Sequence, residues 1–394
     1  MSTHYFEFWF RTRVHCAAGA IVRLPALLQQ LGARRALLIS DEGLDRAGLV
    51  ERVAGVFAAN ASGNFPRLAG TFTGVSPDAG SDSVNGALAA ARACCADAIV
   101  ALGGGSVLDA AKGVKYALAR GLPDICEVLT SGVRLEVDGE HSGVPHVAIP
   151  TTAGTGAEVT NGAVILNQAN GQKVLLQAPY LEADFALLDA QLTTGLPPAI
   201  TADSGMDALT HAVEVLVNPV ANHFTDALAF NAIRVIGQAL PRAVADGADI
   251  QAREDMLQAA TMACLAVSNA LAAAPVHNCS HALGAVAHIP HGRANGVLLP
   301  IVMEELREFY LPWAGRLALA FGLQAESADQ QLDAVIARIR ALQDACGMPG
   351  SFEVKGADPE TLVRAILNDP LAAFYRIPVE KATTITLRAL GLQT

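Results

Sequence analysis

No apolar stretch of this chain reaches the about eighteen residues that a membrane-spanning helix needs, because Gly, Arg or Asp cuts each one short. Clusters of Lys and Arg are also missing. With 27 basic residues against 38 acidic ones and a formal net charge of −11, the chain lacks the grouped positive charge on which phosphate recognition depends. No nucleic-acid or anionic-membrane partner is therefore expected. The opening segment MSTHYFEFWFRTRVHC has no basic stretch ahead of an apolar core, so a cleaved secretion signal is not expected and a cytoplasmic location is. Cysteine supplies no disulfide framework: seven is an odd number, Cys94 and Cys95 are adjacent, and the others are isolated in apolar segments, as reduced buried thiols would be. Charged residues are scarce at 16% against 52% apolar, which over 394 residues is enough material for two or three packed domains.

What the chain does contain changes character near its middle. Ala36-Leu37-Leu38-Ile39 reads as a strand after a helical pattern over 24–31. Ala98-Ile99-Val100-Ala101-Leu102 reads as a second after a helix over 83–93, and His146-Val147-Ala148-Ile149 as a third. Short continuous apolar strands spaced by helices point to a parallel sheet covered on both faces. From about Pro197 the segments TADSGMDALTHAVEVLVN, FTDALAFNAIRVIGQALPRAV, REDMLQAATMACLAVSNALAAA and LDAVIARIRALQDA are all helix-patterned. The segment LTTGLPPA between these halves carries Gly195 and the pair Pro197-Pro198, and it divides the chain into domains over 1–196 and 197–394.

The histidines His211, His277, His281 and His291, four of ten in the chain, and the carboxylate of Asp207 fall in two short stretches of the helical half, MDALTHAVE and VHNCSHALGAVAHIPHG. Asp207 and His211 are four apart in a helical pattern over 206–217, so both side chains lie on one face about a turn apart. His277 and His281 repeat that spacing, and His291 follows in a Pro-His-Gly turn. A single buried His or Asp is more often a satisfied core residue than a ligand, but five at these spacings favour a metal site. One carboxylate with imidazoles suits Fe(II), Zn(II), Mn(II) or Co(II), whereas Ca(II) asks for an oxygen cage. Cys279 lies two residues from His277 on the helix and so faces elsewhere.

In the first half, the strand over 97–102 runs into Gly103-Gly104-Gly105-Ser106 and then into a helix over 107–116. Strand, glycine turn and helix form the arrangement in which backbone N–H groups at a helix start can meet a phosphate. The spacing is not GxGxxG, so taken alone the turn could equally be a plain tight connection. A second turn, PTTAGTGAEVT over 150–160, follows the third strand with the hydroxyls of Thr151, Thr152 and Thr155. Threonines in loops usually serve turns and caps, but beside the glycine turn at neighbouring strand ends they more readily line one cofactor cleft.

The four segments GGGSVLDAAK, PTTAGTGAEVT, MDALTHAVE and HNCSHALGAVAHIPHG, taken in order, resemble those of the iron-containing, or group III, alcohol dehydrogenases. The resemblance extends over most of the chain, from a glycine turn near Gly19 into the helical half. It implies an α/β Rossmann-like N-terminal domain that binds the dinucleotide, plus an all-α C-terminal domain that binds metal, the fold shared with dehydroquinate synthase. The metal ligands it implies are Asp207, His211, His277 and His291, with His281 lining the nicotinamide side as a catalytic residue. Its cofactor positions are Gly103, Gly104, Gly105, Ser106, Asp109, Thr151, Thr152, Thr155, Lys173 and Leu192. Asp41 falls where an acidic residue favours NAD over NADP, since a carboxylate accepts from a ribose 2′-hydroxyl and repels a 2′-phosphate; capping a helix is an equally good role for it.

The implied reaction is hydride transfer between nicotinamide and a primary alcohol or aldehyde held at Fe(II) or Zn(II), in a homodimer or larger homo-oligomer. Three departures stand out: Val75-Ser76-Pro77 replaces the family's Pro-Asn-Pro, Ala272-Ala273-Ala274-Pro275 replaces a glycine-containing stretch, and Ile377-Pro378-Val379 replaces Asn-Pro-Arg. The competing readings are a maleylacetate reductase-like oxidoreductase, a metal- and NAD-dependent lyase of the dehydroquinate synthase type, and a non-catalytic sensor. The lyase would need convergent Arg and Lys near the metal, and Arg293 is the nearest in sequence.

Overall fold

A computed structural model describes residues 5–61, 64–130, 132–136, 142–270, 272–354 and 358–392. The first four residues, part of the N-terminal segment read above, lie outside it. The chain forms two compact units. One comprises Phe10–Thr152 and Gly156–Gly195, and the other Ala153–Thr155 and Leu196–Thr394 together with the chain up to Trp9.

The first unit is built on a six-stranded sheet of β1 (Arg13–Cys16), β2 (Arg35–Ile39), β3 (Arg67–Phe72), β4 (Ala98–Gly103), β6 (His146–Pro150) and β9 (Phe185–Leu188), in the order β1-β9-β6-β4-β2-β3. Every pairing in it is parallel. All residues of β4, β6 and β9 are buried, which is why these strands read as unbroken apolar runs rather than as alternation. Helices α1 (Leu24–Gln30), α2 (Glu42–Arg46), α3 (Leu49–Ala59), α4 (Ser81–Ala93) and α5 (Gly105–Arg120) connect them. Two separate apolar clusters result, one holding Leu37, Ile99, Ala101 and Val114 and the other Leu38, Val100, Leu102 and Ile149. Neighbours along β2 and β4 alternate between the clusters, so both faces of the sheet are covered.

A second sheet was not expected. β5 (Val133–Leu135), β7 (Gly162–Asn167) and β8 (Gln172–Gln177) form a small sheet in the order β5-β8-β7, in which β7 and β8 are antiparallel. The β7–β8 hairpin turns through Asn170 and Gly171, whose φ of +71° suits glycine.

The other unit is helical: α6 (Pro198–Leu216), α7 (His223–Ala245), α8 (Ile250–Asn269), α9 (Pro275–Ala287), α10 (His291–Glu305), α11 (Arg307–Tyr310), α12 (Ala314–Ala320), α13 (Ala328–Ala345), α14 (Pro359–Asn368) and α15 (Val379–Ala389). Local chemistry sets several starts. Pro198 and Pro275 open α6 and α9, where a missing N–H costs nothing, and Asn222 with Thr225 makes a reciprocal capping box for α7. Met206, Leu209, Val213 and Leu216 of α6 are buried in one core with α7, α8 and α10.

Two short segments cross the boundary expected at residue 196. Trp9 N–H donates to Asn269 Oδ1 at 2.8 Å, and the Phe8 ring stacks on Phe224 at 5.1 Å, which ties the N-terminal arm to the helical unit. Gly154 packs so tightly on α6 that a Cβ there would lie 2.9 Å from the Ser204 carbonyl oxygen.

Candidate functional site

The helical unit brings the two histidine-rich stretches together. Asp207 and His211 project from α6 one turn apart, and His277 comes from the first turn of α9. One donor atom from each of Asp207, His211 and His277 lies within 4.8 Å of the other two. His291 is not in a turn as expected but opens α10, because Pro290 ends the preceding connection and acts as the cap. Its Nε2 lies 3.6 Å from Asp207 Oδ1. His281 stands one turn beyond His277, with its ring stacked on that of His291 at 5.4 Å.

Burial sets the electrostatics. It pushes His211 down to about 4 against the pull of Asp207, and it lowers His291 as well, so both rings are neutral near pH 7. Burial alone would raise Asp207, but His211, His291 and a hydrogen bond with His277 hold its carboxyl far below the usual range. His277 moves the other way: burial opposes its charge, yet Glu214 and Asp207 raise it well above 6.5.

Two residues outside the expected set complete this cluster. Glu214 Oε2 lies 2.5 Å from His277 Nδ1, while its Oε1 accepts from the Val276 N–H at 2.7 Å. A carboxylate on one ring nitrogen leaves the other, Nε2, turned toward Asp207, the arrangement that orients metal-ligating histidines. Asn295 Nδ2 donates to Asp207 Oδ1 at 2.6 Å and lies 3.2 Å from Nε2 of both His277 and His291. Spacing could have revealed both: Glu214 is seven residues after Asp207 on the same helical face, and Asn295 is four after His291.

The donors fit a divalent metal ion. One carboxylate oxygen and imidazole nitrogens suit Fe(II) or Zn(II), and His211 Nδ1 is buried with no hydrogen-bond partner among the described residues.

In the sheet unit, Gly103 ends β4 and Gly104 caps the sixteen-residue α5 with an extended backbone. Thr151 N–H donates to Gly103 O at 3.0 Å, and a Cβ on Gly104 would stand 3.3 Å from Thr152 Oγ1. The glycine turn and the first half of the threonine turn therefore adjoin, while Thr155 belongs to the helical unit. Ser106 Oγ accepts from Asp78 N–H at 3.1 Å, and Lys173 Nζ reaches Asp78 Oδ1 at 2.8 Å. Asp109 holds β7 to α5 by accepting from Val164 N–H at 3.0 Å and pairing with the buried Lys112. Asp41 caps α2 through Leu44 N–H at 2.9 Å, and Leu192 is buried in the core.

Comparison with known proteins gives a consistent picture. A family model described as iron-containing alcohol dehydrogenase matches residues 11–190, and one for the C-terminal part of the Fe-containing alcohol dehydrogenase family matches 201–385. The chain is 41% identical to the probable alcohol dehydrogenase EutG of Salmonella typhimurium over 292 residues, which is 73% of this chain and 70% of that protein. It is 34% identical to the 1-propanol dehydrogenase PduQ of Citrobacter freundii, covering 87% and 86%. A crystal structure of a 1,3-propanediol oxidoreductase superposes with a TM-score of 0.89 at 32% identity, covering 98% of this chain and all of the other.

Proposed function

This chain belongs to the iron-containing alcohol dehydrogenase family, and from that premise we propose how its residues divide the work of interconverting a small primary alcohol and its aldehyde. The observation that carries the reading is the convergence of Asp207, His211 and His277 donor atoms within 4.8 Å. Those three residues with His291 hold the divalent ion, Fe(II) first and Zn(II) second, and residues 197–394 form the domain that carries it. Residues 1–196 form the domain that holds the dinucleotide, NAD in preference to NADP because of the Asp41 carboxylate. When bound, the ion supplies positive charge for the alcohol or carbonyl oxygen, and the nicotinamide supplies the hydride acceptor or donor.

The chain's own groups position these partners. Backbone N–H groups of Gly104, Gly105 and Ser106 at the start of α5, with Gly103 at the end of β4, would hold the pyrophosphate, where the helix dipole adds favourable charge. Thr151 and Thr152 offer hydroxyls beside it, Asp109 ties α5 to β7 through the Val164 N–H, Lys173 pairs with Asp78 next to Ser106, and Leu192 is a further proposed cofactor position. Glu214 and Asn295 fix His277 and Asp207. His281, together with the ribose hydroxyls, would relay the alcohol proton to solvent. The active species is a homodimer or larger assembly. A cytoplasmic location accords with seven cysteines joined by no disulfide. Among the described residues no helix is long and apolar enough to cross a membrane.

The test is anaerobic reconstitution with Fe(II) or Zn(II), followed by oxidation of NADH and NADPH against a panel of aldehydes. Turnover is expected with NADH and at least one aldehyde; no turnover in any combination, with metal demonstrably bound, would sink the reading.

A further inference from the structure

Asp369 lies in none of the segments that carry the family resemblance, 88 residues beyond His281. We infer that it is the positioning residue for His281, fixing which ring nitrogen faces the reacting alcohol. This rests on the reading of His281 as the group beside the nicotinamide.

Asp369 Oδ2 lies 3.3 Å from His281 Nδ1. The same carboxylate is anchored at its other oxygen, where Oδ1 accepts from the Leu371 N–H at 2.9 Å and caps the short 3-10 helix Pro370–Ala373. A carboxylate tied to backbone cannot swing away with the ring. Its side chain is only 10% exposed, whereas that of His281 is 38% exposed, so the buried partner sets the position of the open one. On its far side the imidazole stacks on His291 at an interplanar angle of 27°. The ring thus has a carboxylate beside one nitrogen and a second imidazole against one face.

A carboxylate at Nδ1 favours the tautomer that carries the proton there and leaves the Nε2 lone pair for a substrate or ribose hydroxyl. Nothing local in the sequence announces the pair. Asp369 reaches His281 because α14 ends at Asn368 and the chain bends at Asp369-Pro370 onto α9.

The test uses the full chain in three variants. Asp369→Ser keeps a helix-capping oxygen but is too short to reach the ring, Asp369→Asn keeps the cap through its one amide oxygen but turns an NH2 donor toward Nδ1, and His281→Ala removes the ring. Ring-nitrogen NMR of the metal-free, 15N-histidine-labelled protein should show His281 as a single Nδ1–H tautomer in the parent, as a mixture in D369S, and shifted to the Nε2–H tautomer in D369N. In the metal-loaded enzyme kcat should fall about tenfold or more in both D369S and D369N, with little change in the KM for NADH. An unchanged His281 signature and parent-level kcat in D369S would overturn the assignment. If H281A itself keeps the parent kcat, the catalytic role of His281 fails, and the hold of Asp369 on the ring stands or falls on the nitrogen spectrum alone.

Discussion

Glu214 decides what His277 can offer. Its carboxylate is buried against the ring and pinned by the Val276 N–H, so it keeps His277 protonated at neutral pH while no ion competes for the ring. Because the folded value of His277 lies above 6.5, this pair's contribution to the metal-free fold is complete below that value and is lost as pH rises through the folded one. Metal ligation needs the neutral ring, so loading an ion near pH 7 should expel about one proton from this site. Calorimetry in buffers of different ionisation enthalpy reads that number; no proton release would refute the pairing. Glu214→Gln should weaken metal affinity by about ten- to a hundredfold, measured by competition with a chelator.

Among the elements, the junction of α6 and α10 is tightly packed near the proposed ligands. A Cβ on Gly292 would stand 2.5 Å from the Asp203 carbonyl oxygen, a backbone atom that cannot move aside as a side chain tip would. Arg293 and Asp203 pair across the same junction, with Nη2 and Oδ2 3.1 Å apart. Gly292→Ala should therefore displace the first turn of α10, cost about 1–3 kcal/mol in stability, and loosen His291. Thermal unfolding and metal titration of this variant should change together. A variant with parent stability and parent metal affinity would show that α10 is not held by this contact.

The same scale shows what local pattern conveys. Asp207, His211 and Glu214 follow i, i+4, i+7 along α6, and the first two are recognisable from spacing alone. Glu214 continues the same face, as its spacing shows, but its partner His277 is set only by the packing of α9 against α6. The β7–β8 hairpin was marked by Asn170-Gly171 between apolar runs, yet the strand-helix rhythm around it masked the signal.

For the whole molecule, an ion held as proposed would link elements distant in sequence, since α6, α9 and α10 carry its proposed ligands. An ion bound at a hundred times its Kd should add about 2.7 kcal/mol to the stability of the folded chain. Chelation should accordingly lower the unfolding temperature, and excess Zn(II) should restore it. Scanning calorimetry of loaded and chelated protein checks this, and superimposable traces would count against a structural link. If the two units unfold separately, the shift belongs to the helical one.

Sequence by itself determined the kinds of element and the chemistry they carry. Continuous apolar strands meant a covered parallel sheet, and His and Asp at helical spacing meant donors on one face, because both follow from the fixed periods of strand and helix. Only the tertiary structure decided which partners those donors receive. Glu214 on His277, Asn295 on Asp207 and Asp369 on His281 join separate helices, and such contacts depend on how the helices pack rather than on any local repeat. The placement of the Ala153–Thr155 turn with the helical unit has the same origin, in the bare Gly154 backbone that lets Ser204 approach.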